Sequence, residues 1–172
     1  MHLNEILTAR LKLTLVETTD AEKIHVLRTD PYVARFIIRD LNTTVSDIRQ
    51  FISERLLDRN NILFYKIETI PDFDLAGTIV IKNIDRRLQY AEIGYELFGQ
   101  FEGQGLMSAA LEKIIALAAE NIGIKTFEAF THRDNSKSRK MLERLQFTQT
   151  DKTDDKNPNN VIYRLIYNGQ TD

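Results

Sequence analysis

Hydrophobic residues alternate with polar ones near the start of the chain, and the spacing then changes to one typical of helices. Leu11, Leu13 and Leu15 are separated by single residues, which predicts a strand, because successive side chains of a strand point to opposite faces of the sheet. Asp20 then offers a polar start for a helix whose apolar stripe runs through Ile24.

Two further helices and a run of strands follow. Pro31 suits the first turn of a short helix, which is expected to carry Val33 and residues 36–38, because proline needs no amide partner there. Asp47 and the apolar residues after it predict another helix. Strands are then predicted at residues 61–69, 75–83 and 88–98. The turn-like connections between them are short, which favours an antiparallel meander.

The second half of the chain alternates between helix and strand. The predicted elements are a helix at residues 103–121, a strand at 125–131, a helix at 136–145 and a closing pair of strands at 147–152 and 161–167. The whole order predicts an α/β fold, an α+β mixed sheet of mostly antiparallel strands with helices on both faces. A chain of 172 residues fits one domain, residues 1–172, since single domains commonly contain about 100–200 residues.

Composition narrows the classes of site. The chain has no cysteine, which excludes a disulfide framework, a thiolate metal site and a cysteine nucleophile. None of its three histidines has a partner at metal-ligand spacing, so no metal is expected. A net charge of −2 provides no overall field for nucleic acid. The start lacks a signal-peptide pattern and no 18-residue apolar stretch occurs, so a cytoplasmic protein without a membrane partner is expected.

A glycine-containing loop between a strand and a helix carries the strongest chemical signal. Gly103 and Gly105 precede the helix, so unpaired backbone N–H groups and the positive helix end meet there and favour an anion. Leu106 and Met107 do not fit a Walker loop. Ser108 stands where a dinucleotide fingerprint needs its third glycine. A tight strand-to-helix turn without a ligand remains the alternative.

The spacing of Gln100, Gly103 and Gly105 is more specific than the glycines alone. It matches the pyrophosphate signature Q/R-x-x-G-x-G/A of the GCN5-related N-acetyltransferases (GNAT). Over nearly its full length the chain resembles their ribosomal-protein N-terminal (RimJ/RimL-like) branch, whose acceptors range from protein N-termini to amino acids, polyamines and antibiotics. Similar segments lie in the family's order at residues 10–13, 28–33, 77–79, 91–95, 135–138 and 142–147. Two positions depart from the pattern: Leu142 stands where many relatives carry a general-acid tyrosine, and Gln146 replaces the glycine of L-x-x-L-G-F.

The resemblance implies a fold, a cosubstrate and a site. The implied fold is that of a GNAT acyltransferase, with its fourth and fifth strands splayed apart. Acetyl-CoA would lie in the gap, with its pyrophosphate on the amides of residues 100–106, its pantetheine along residues 95–98 and its thioester carbonyl facing a backbone N–H. The implied coenzyme-binding residues are Tyr95, Leu97, Phe98, Gln100, Gly103, Gln104, Gly105, Leu106, Met107, Ser108, Asn135 and Ser138. Many members of the family are dimers, so the resemblance also implies a homodimer as a possible oligomeric state.

Two side chains are expected to carry the chemistry. Glu92 lies on the strand face opposite its core-like neighbours. An amine that arrives as ammonium must lose a proton, so Glu92 is the expected general base, directly or through a water. Glu96 is the second choice, and a structural salt bridge is the alternative role for Glu92. With Leu142 unable to donate a proton, Ser138 is the expected donor to the leaving thiolate, and solvent is the alternative.

The leading hypothesis is an acetyl-CoA-dependent N-acetyltransferase whose bound amine, a protein N-terminus or a small molecule, attacks the thioester directly. One alternative is a non-catalytic acyl-CoA-binding or regulatory module, favoured by the leucine at the acid position. Another is a nucleotide-binding domain without specificity for coenzyme A. The segments expected to choose the acceptor, residues 29–44 and 150–160, carry no readable motif.

Overall fold

A computed structural model describes residues 4–169 of the chain. Within this part, the strands are β1 (Glu5–Leu7), β2 (Leu11–Leu15), β3 (Leu63–Thr69), β4 (Leu75–Asp85), β5 (Tyr90–Leu97), β6 (Thr126–His132), β7 (Thr148–Gln149) and β8 (Asn160–Ile166). The helices are α1 (Ala21–Thr29), α2 (Pro31–Ala34), α3 (Val45–Leu57), α4 (Leu106–Ile122) and α5 (Ser136–Arg144). Short 3-10 turns lie at Thr18–Asp20 and Gly99–Phe101. No helix in residues 4–169 is long and apolar enough to span a membrane.

The eight strands form one sheet in the order β1-β2-β3-β4-β5-β6-β8-β7. Neighbouring strands are antiparallel except for β5 and β6, which run parallel and are connected through α4. The predicted meander corresponds to β3, β4 and β5, and the predicted mixed, mostly antiparallel α/β sheet is confirmed. The sequence pattern does not predict β1, because this edge strand has three residues and buries only Ile6.

Helices cover both faces of the sheet and create two cores. Alternate strand residues, among them Tyr65, Ile79 and Ile93, join the larger core with α4 and α5. Phe64 and Val80 point to the opposite face and pack with α1 and α3. Both faces are therefore buried, which is why the strands are rich in apolar residues and why the prediction of helices on both faces is confirmed.

Strands β5 and β6 pair along only part of their length. Their register ends at Ile93 opposite Ala129. Beyond this point β5 continues along β4 to Leu97, while β6 continues along β8 to His132. The two strands separate as the resemblance implies. They are the fifth and sixth strands of this chain because β1 precedes the strand that resembles the family's opening one.

The second helix is shorter than predicted. α2 ends at Ala34, so the prediction that residues 36–38 belong to it is wrong. Asp30 caps the start of α2 by accepting hydrogen bonds from two N–H groups of its first turn. The β-branched residues Ile37 and Ile38 disfavour its continuation. The chain after α2 forms a loop instead, and this loop lines the cavity described below.

The turn after α5 keeps a conformation that glycine favours although it contains Gln146. This residue has a φ of 67°, in the left-handed region, which costs a non-glycine residue about 1–2 kcal/mol. The N–H of Gln146 donates to the Glu143 carbonyl and the N–H of Phe147 donates to the Leu142 carbonyl, each at 3.0 Å. The departure from the L-x-x-L-G-F motif therefore leaves the turn in place.

The contact between β4 and β5 leaves no room for a side chain at Gly77. A Cβ there would lie 2.1 Å from the backbone oxygen of Glu96, whereas a Cβ at Gly94 would lie 3.2 Å from Cγ1 of Val80. We expect Gly77→Ala to lower the free energy of unfolding by about 1–3 kcal/mol, because backbone atoms must move. Gly94→Ala should cost less, since the Val80 side chain can adjust. Denaturant unfolding measures both losses, and equal losses would contradict this account.

Candidate active site

A cavity of about 1300 Å³ opens where β5 and β6 separate. Its walls come from the free half of β5, the first turns of α4 and α5 and, on the other face of the sheet, α1, α3 and the loop after α2. Ligand pockets commonly enclose about 300–1,000 Å³, so this cavity has room for a large ligand together with a smaller one. Residues 4–169 contain no cluster of three or more His, Cys, Asp or Glu side chains that could hold a metal ion.

The free half of β5 offers backbone groups to the cavity. The N–H of Phe98 donates to the Ala76 carbonyl of β4 at 2.9 Å. Because the hydrogen-bonding groups of a strand alternate between its two edges, the N–H and C=O groups of Tyr95 and Leu97 point away from β4. They face the gap, where β6 provides no register partner for them. Buried backbone groups need partners, so this edge is suited to binding amides of a ligand.

The loop before α4 offers a second set of backbone groups. Gly103 and Gly105 have φ values of 76° and 72°, a conformation that glycine adopts readily. Gly105 is the N-cap of the 17-residue helix α4 and makes no side-chain capping bond. Within the described part of the chain, the N–H groups of residues 103–108 have no hydrogen-bond acceptor. These donors lie at the positive end of a helix, so an anion with several oxygens fits here.

Charged side chains surround this loop. On the α5 side, the cavity is lined by Lys137, Lys140 and Arg144. The carboxylate of Glu102 accepts hydrogen bonds from Lys137 at 2.5 Å, from the Tyr32 hydroxyl at 2.9 Å and from Arg35 at 3.3 Å. Burial raises the pKa of Glu102, but these hydrogen bonds outweigh it and hold the pKa below its usual value. An ionised carboxylate therefore ties the loop to α2 and α5.

Three hydroxyl groups meet where α5 begins. The Tyr95 hydroxyl lies 2.7 Å from Oγ of Ser138, and the Thr131 hydroxyl donates to the same Oγ at 2.9 Å. These two bonds use two of the three hydroxyl protons, so one O–H, of Tyr95 or of Ser138, stays available for a ligand. Burial raises the pKa of Tyr95 well above its usual value, which keeps it neutral. Asn135 accepts the N–H of Ser138 at 3.2 Å and caps α5.

Glu92 and Glu96 lie on the same face of β5 and have different partners. Both carboxylate oxygens of Glu96 accept hydrogen bonds from Arg39, and Arg28 lies 3.7 Å from one of them. Glu92 forms an ion pair with Lys82, with 3.4 Å between Nζ and Oε2. Glu96 and Lys82 line the cavity, whereas Glu92 does not. This placement favours an indirect contact of Glu92 with a ligand there, through a group such as a water.

Comparison with known families identifies the chain. The family described as the acetyltransferase (GNAT) domain matches residues 10–148, which include β5, α4, α5, α1, α3 and the loop after α2. The chain belongs to the GNAT acetyltransferase family. The predicted resemblance is confirmed, and the protein is an N-acetyltransferase, so the alternatives of an acyl-CoA-binding module and a general nucleotide-binding domain lose support.

Relatives of this GNAT protein cover most of its length. It is 28% identical over 172 residues to YdaF of Bacillus subtilis (strain 168), provisionally assigned as a ribosomal N-acetyltransferase, with 95% of this chain and 90% of YdaF covered. It is 31% identical over 143 residues to the uncharacterized N-acetyltransferase p20 of Bacillus licheniformis, with 81% and 80% covered. Its fold is similar to that of RimL, a ribosomal L7/L12 alpha-N-protein acetyltransferase in complex with coenzyme A, at a TM-score of 0.83 and 20% identity, with 96% and 98% covered.

The GNAT cavity brings together most of the residues that the sequence predicts for it. The predicted residues in its lining are Tyr95, Leu97, Gly103, Gly105, Leu106, Met107, Ser108, Asn135 and Ser138. The lining does not include Glu92, Phe98, Gln100 or Gln104. Phe98 packs against the core formed with α1 and α3. The Gln104 side chain donates to the Gln100 carbonyl at 3.1 Å, so these glutamines shape the loop from outside the cavity.

No arginine of the GNAT cavity is named as a site residue from the sequence, although Arg28 and Arg39 lie in segments that the sequence singles out, residues 28–33 and 29–44. Arg28, Arg39 and Arg55 line the cavity from α1, from the loop after α2 and from α3. They are far apart in the sequence, so no spacing indicates that they meet. The one available signal is Glu96, because a carboxylate on a central strand needs a cationic partner when it is buried.

Proposed function

We propose that this GNAT protein transfers the acetyl group of acetyl-CoA to a primary amine, either of a protein N-terminus or of a small molecule. The observation that carries the proposal is the set of unpaired backbone groups that runs from Tyr95 and Leu97 to the N–H groups of residues 103–108. A ligand with amides at one end and a diphosphate at the other matches both parts, and acetyl-CoA has this form. Coenzyme A in the complex of the structurally similar RimL supports this choice.

The backbone of β5 is suited to stabilise charge on the thioester. Acetyl-CoA supplies an activated acetyl group when bound. The N–H groups of Tyr95 and Leu97 are the candidates to donate to its carbonyl oxygen, which becomes negative during attack. Removing a single donor of this kind costs about 2.7–4 kcal/mol in other enzymes. The absence of cysteine supports direct attack by the amine without a covalent enzyme intermediate.

We propose that Glu92 accepts a proton from the incoming amine through a water. An α-amine has a pKa of about 8, so most of it is ammonium at neutral pH and must be deprotonated before attack. Glu96 is less suited to this task, because Arg39 and Arg28 engage its carboxylate. Within residues 4–169, Glu92 has one ion-pair partner, Lys82, whose Nζ lies 3.4 Å from Oε2. The other carboxylate oxygen is left for a water.

We propose that Ser138 and Tyr95 together stabilise the leaving thiolate. Leu142 is fully buried in the core and has no proton to donate. A thiol has a pKa of about 8.5, whereas the pKa of the buried Tyr95 hydroxyl is raised far above that. The hydroxyl therefore donates a hydrogen bond to the thiolate and keeps its own proton, and the solvent supplies the proton of the released thiol.

Gly105→Ala tests the diphosphate site. An alanine at a φ of 72° is strained and shifts the loop amides, so we expect acetyl-CoA affinity to fall by about tenfold or more. Gly123→Ala is the matched control, because Gly123 ends the same helix at a φ of 80° with open space for a Cβ. Isothermal titration calorimetry measures both affinities. Equal affinities of the two variants would count against this site.

Glu92→Gln tests the general base. We expect kcat to fall by at least about tenfold near pH 7, and further at lower pH, where more of the amine is protonated. Acetyl-CoA affinity should stay nearly unchanged. Thiol release measured across pH shows the effect, and Glu112→Gln on the solvent side of α4 is the control. Turnover at the wild-type level over the whole pH range would remove Glu92 from this role.

Ser138→Ala and Tyr95→Phe test the thiolate partner. Each substitution removes one hydroxyl of the pair that is 2.7 Å apart, and each should lower kcat by about fivefold to tenfold. Because the two hydroxyls act as a unit, the double variant should be about as slow as the slower single variant. Single-turnover rates at saturating acetyl-CoA measure this. Losses that multiply in the double variant would show that the hydroxyls act separately.

A further inference from the structure

The wall of the cavity formed by α1, α3 and the loop after α2 carries an excess of positive charge. Arg28, Arg39 and Arg55 line this wall, and Glu96 is the carboxylate among them. The other carboxylate in the cavity lining, Glu102, belongs to the loop and is held by Lys137. In the described residues, the hydrogen bonds and ring contacts of these three arginines involve Arg28, Phe51 and Glu96 and none of residues 99–108. The proposed diphosphate site thus leaves this wall free for the acceptor.

Glu96 cannot neutralise its two arginines. Arg39 takes both of its carboxylate oxygens, and Arg28 lies 3.7 Å from one of them. The three side chains are at most 20% exposed, so solvent screens the charges only partly. The Nε atoms of Arg28 and Arg39 are buried and have no hydrogen-bond partner within residues 4–169. The single negative charge of Glu96 therefore faces the two positive charges of Arg28 and Arg39, and the two Nε–H donors have no acceptor.

Arg55 adds a third positive charge on the same wall. Its guanidinium donates to the Phe51 carbonyl at 3.0 Å and forms no ion pair in the described residues, although Glu54 attracts it from farther away. The Arg28 and Arg55 guanidiniums lie 4.0 Å and 3.2 Å from the centroid of the Phe51 ring. Burial, and then the charge of Arg39, lowers the pKa of Arg28 to about 10. Such a cluster is costly without an anion to share.

We infer that the acceptor carries a carboxylate or a phosphate close to its amine, and that Arg28, Arg39 and Arg55 bind this anion. The inference rests on the proposed acetyl transfer. Glu96 lies between Tyr95 and Leu97, the residues whose backbone would face the thioester, and strand residues are only about 3.3 Å apart. The anion must therefore lie within a few bonds of the amine, as in an acidic first or second peptide residue, an amino acid or an aminoalkyl phosphate. Polycationic amines are excluded by repulsion.

Matched acceptors that differ only in charge provide the test. Thiol release from acetyl-CoA is measured with the tripeptide amides Ala-Asp-Ala, Ala-Asn-Ala and Ala-Lys-Ala, and with phosphoethanolamine against ethanolamine. We expect the anionic member to have a kcat/KM higher by at least about tenfold, mainly through KM, and the difference to shrink as salt is added. A preference in the peptide arm alone indicates a peptide acceptor, and one in the other arm alone indicates a small molecule.

Two substitutions on α3 test whether the arginines of this wall cause the preference for anionic acceptors. Arg55→Gln should reduce the ratio of kcat/KM between the anionic and the neutral acceptor, because it removes a positive charge from the wall. Since Arg55 forms no ion pair in the described residues, the substitution breaks none. Arg49→Gln makes the same change of charge on the exposed side of α3 and should leave the ratio as in the wild type. A ratio near one in the wild type, or an equal change in both variants, would overturn the inference.

The test also separates this inference from the proposed function. Thiol release with neutral and cationic amines at the rate of the anionic ones would refute the anionic acceptor and leave the acetyl transfer standing. Acetyl-CoA binding without thiol release from any amine would refute the transfer itself, and the inference with it.

Discussion

The separation of β5 from β6 is the constraint on which the rest of the site depends. A buried donor without a partner costs about 1–3 kcal/mol, so a sheet normally pairs both edges of each inner strand. Here β5 loses β6 beyond Ile93 but keeps β4 as far as Leu97. β6 keeps β8 as far as His132. Because each diverging strand retains one partner, the sheet can hold polar backbone groups open to a cavity without coming apart.

The pattern of apolar and polar residues predicts those parts of the fold that depend on burial alone. Nearly all strands and helices follow from apolar runs, alternation and helical spacing, because burial selects apolar residues at these positions. β1 escapes this reasoning because it buries only Ile6, and the end of α2 escapes it because a local turn decides it. Within the site, Gly103 and Gly105 are predictable from the sequence. Each has a positive φ, which glycine adopts most readily, so the residue type itself is the signal. Arg28 and Arg39 are not predictable, because only the packing of α1 and the following loop brings them to Glu96.

The net charge of the chain does not describe the charge distribution in its cavity. The chain carries a formal charge of −2, and the expectation of no overall positive field follows from it. The cavity nevertheless collects cations on both sides: α5 contributes Lys137 and Lys140 near the loop before α4, and α1 and α3 contribute Arg28 and Arg55. A cleft with low-dielectric walls focuses such a field. The local arrangement of charges, and not the sum over the chain, therefore sets the field inside the cavity.

The hydroxyl beside Ser138 comes from β5 and not from α5. Leu142 is fully buried, so a hydroxyl at that position would need a polar partner within the core. Tyr95 already supplies a hydroxyl 2.7 Å from Ser138, and Thr131 fills the remaining place at 2.9 Å. The proposed partner of the leaving thiolate therefore comes from both β5 and α5. A missing side chain at one motif position, here Leu142, therefore does not by itself show that the site lacks the functional group. A neighbouring element, here β5 with Tyr95, can provide the same kind of atom.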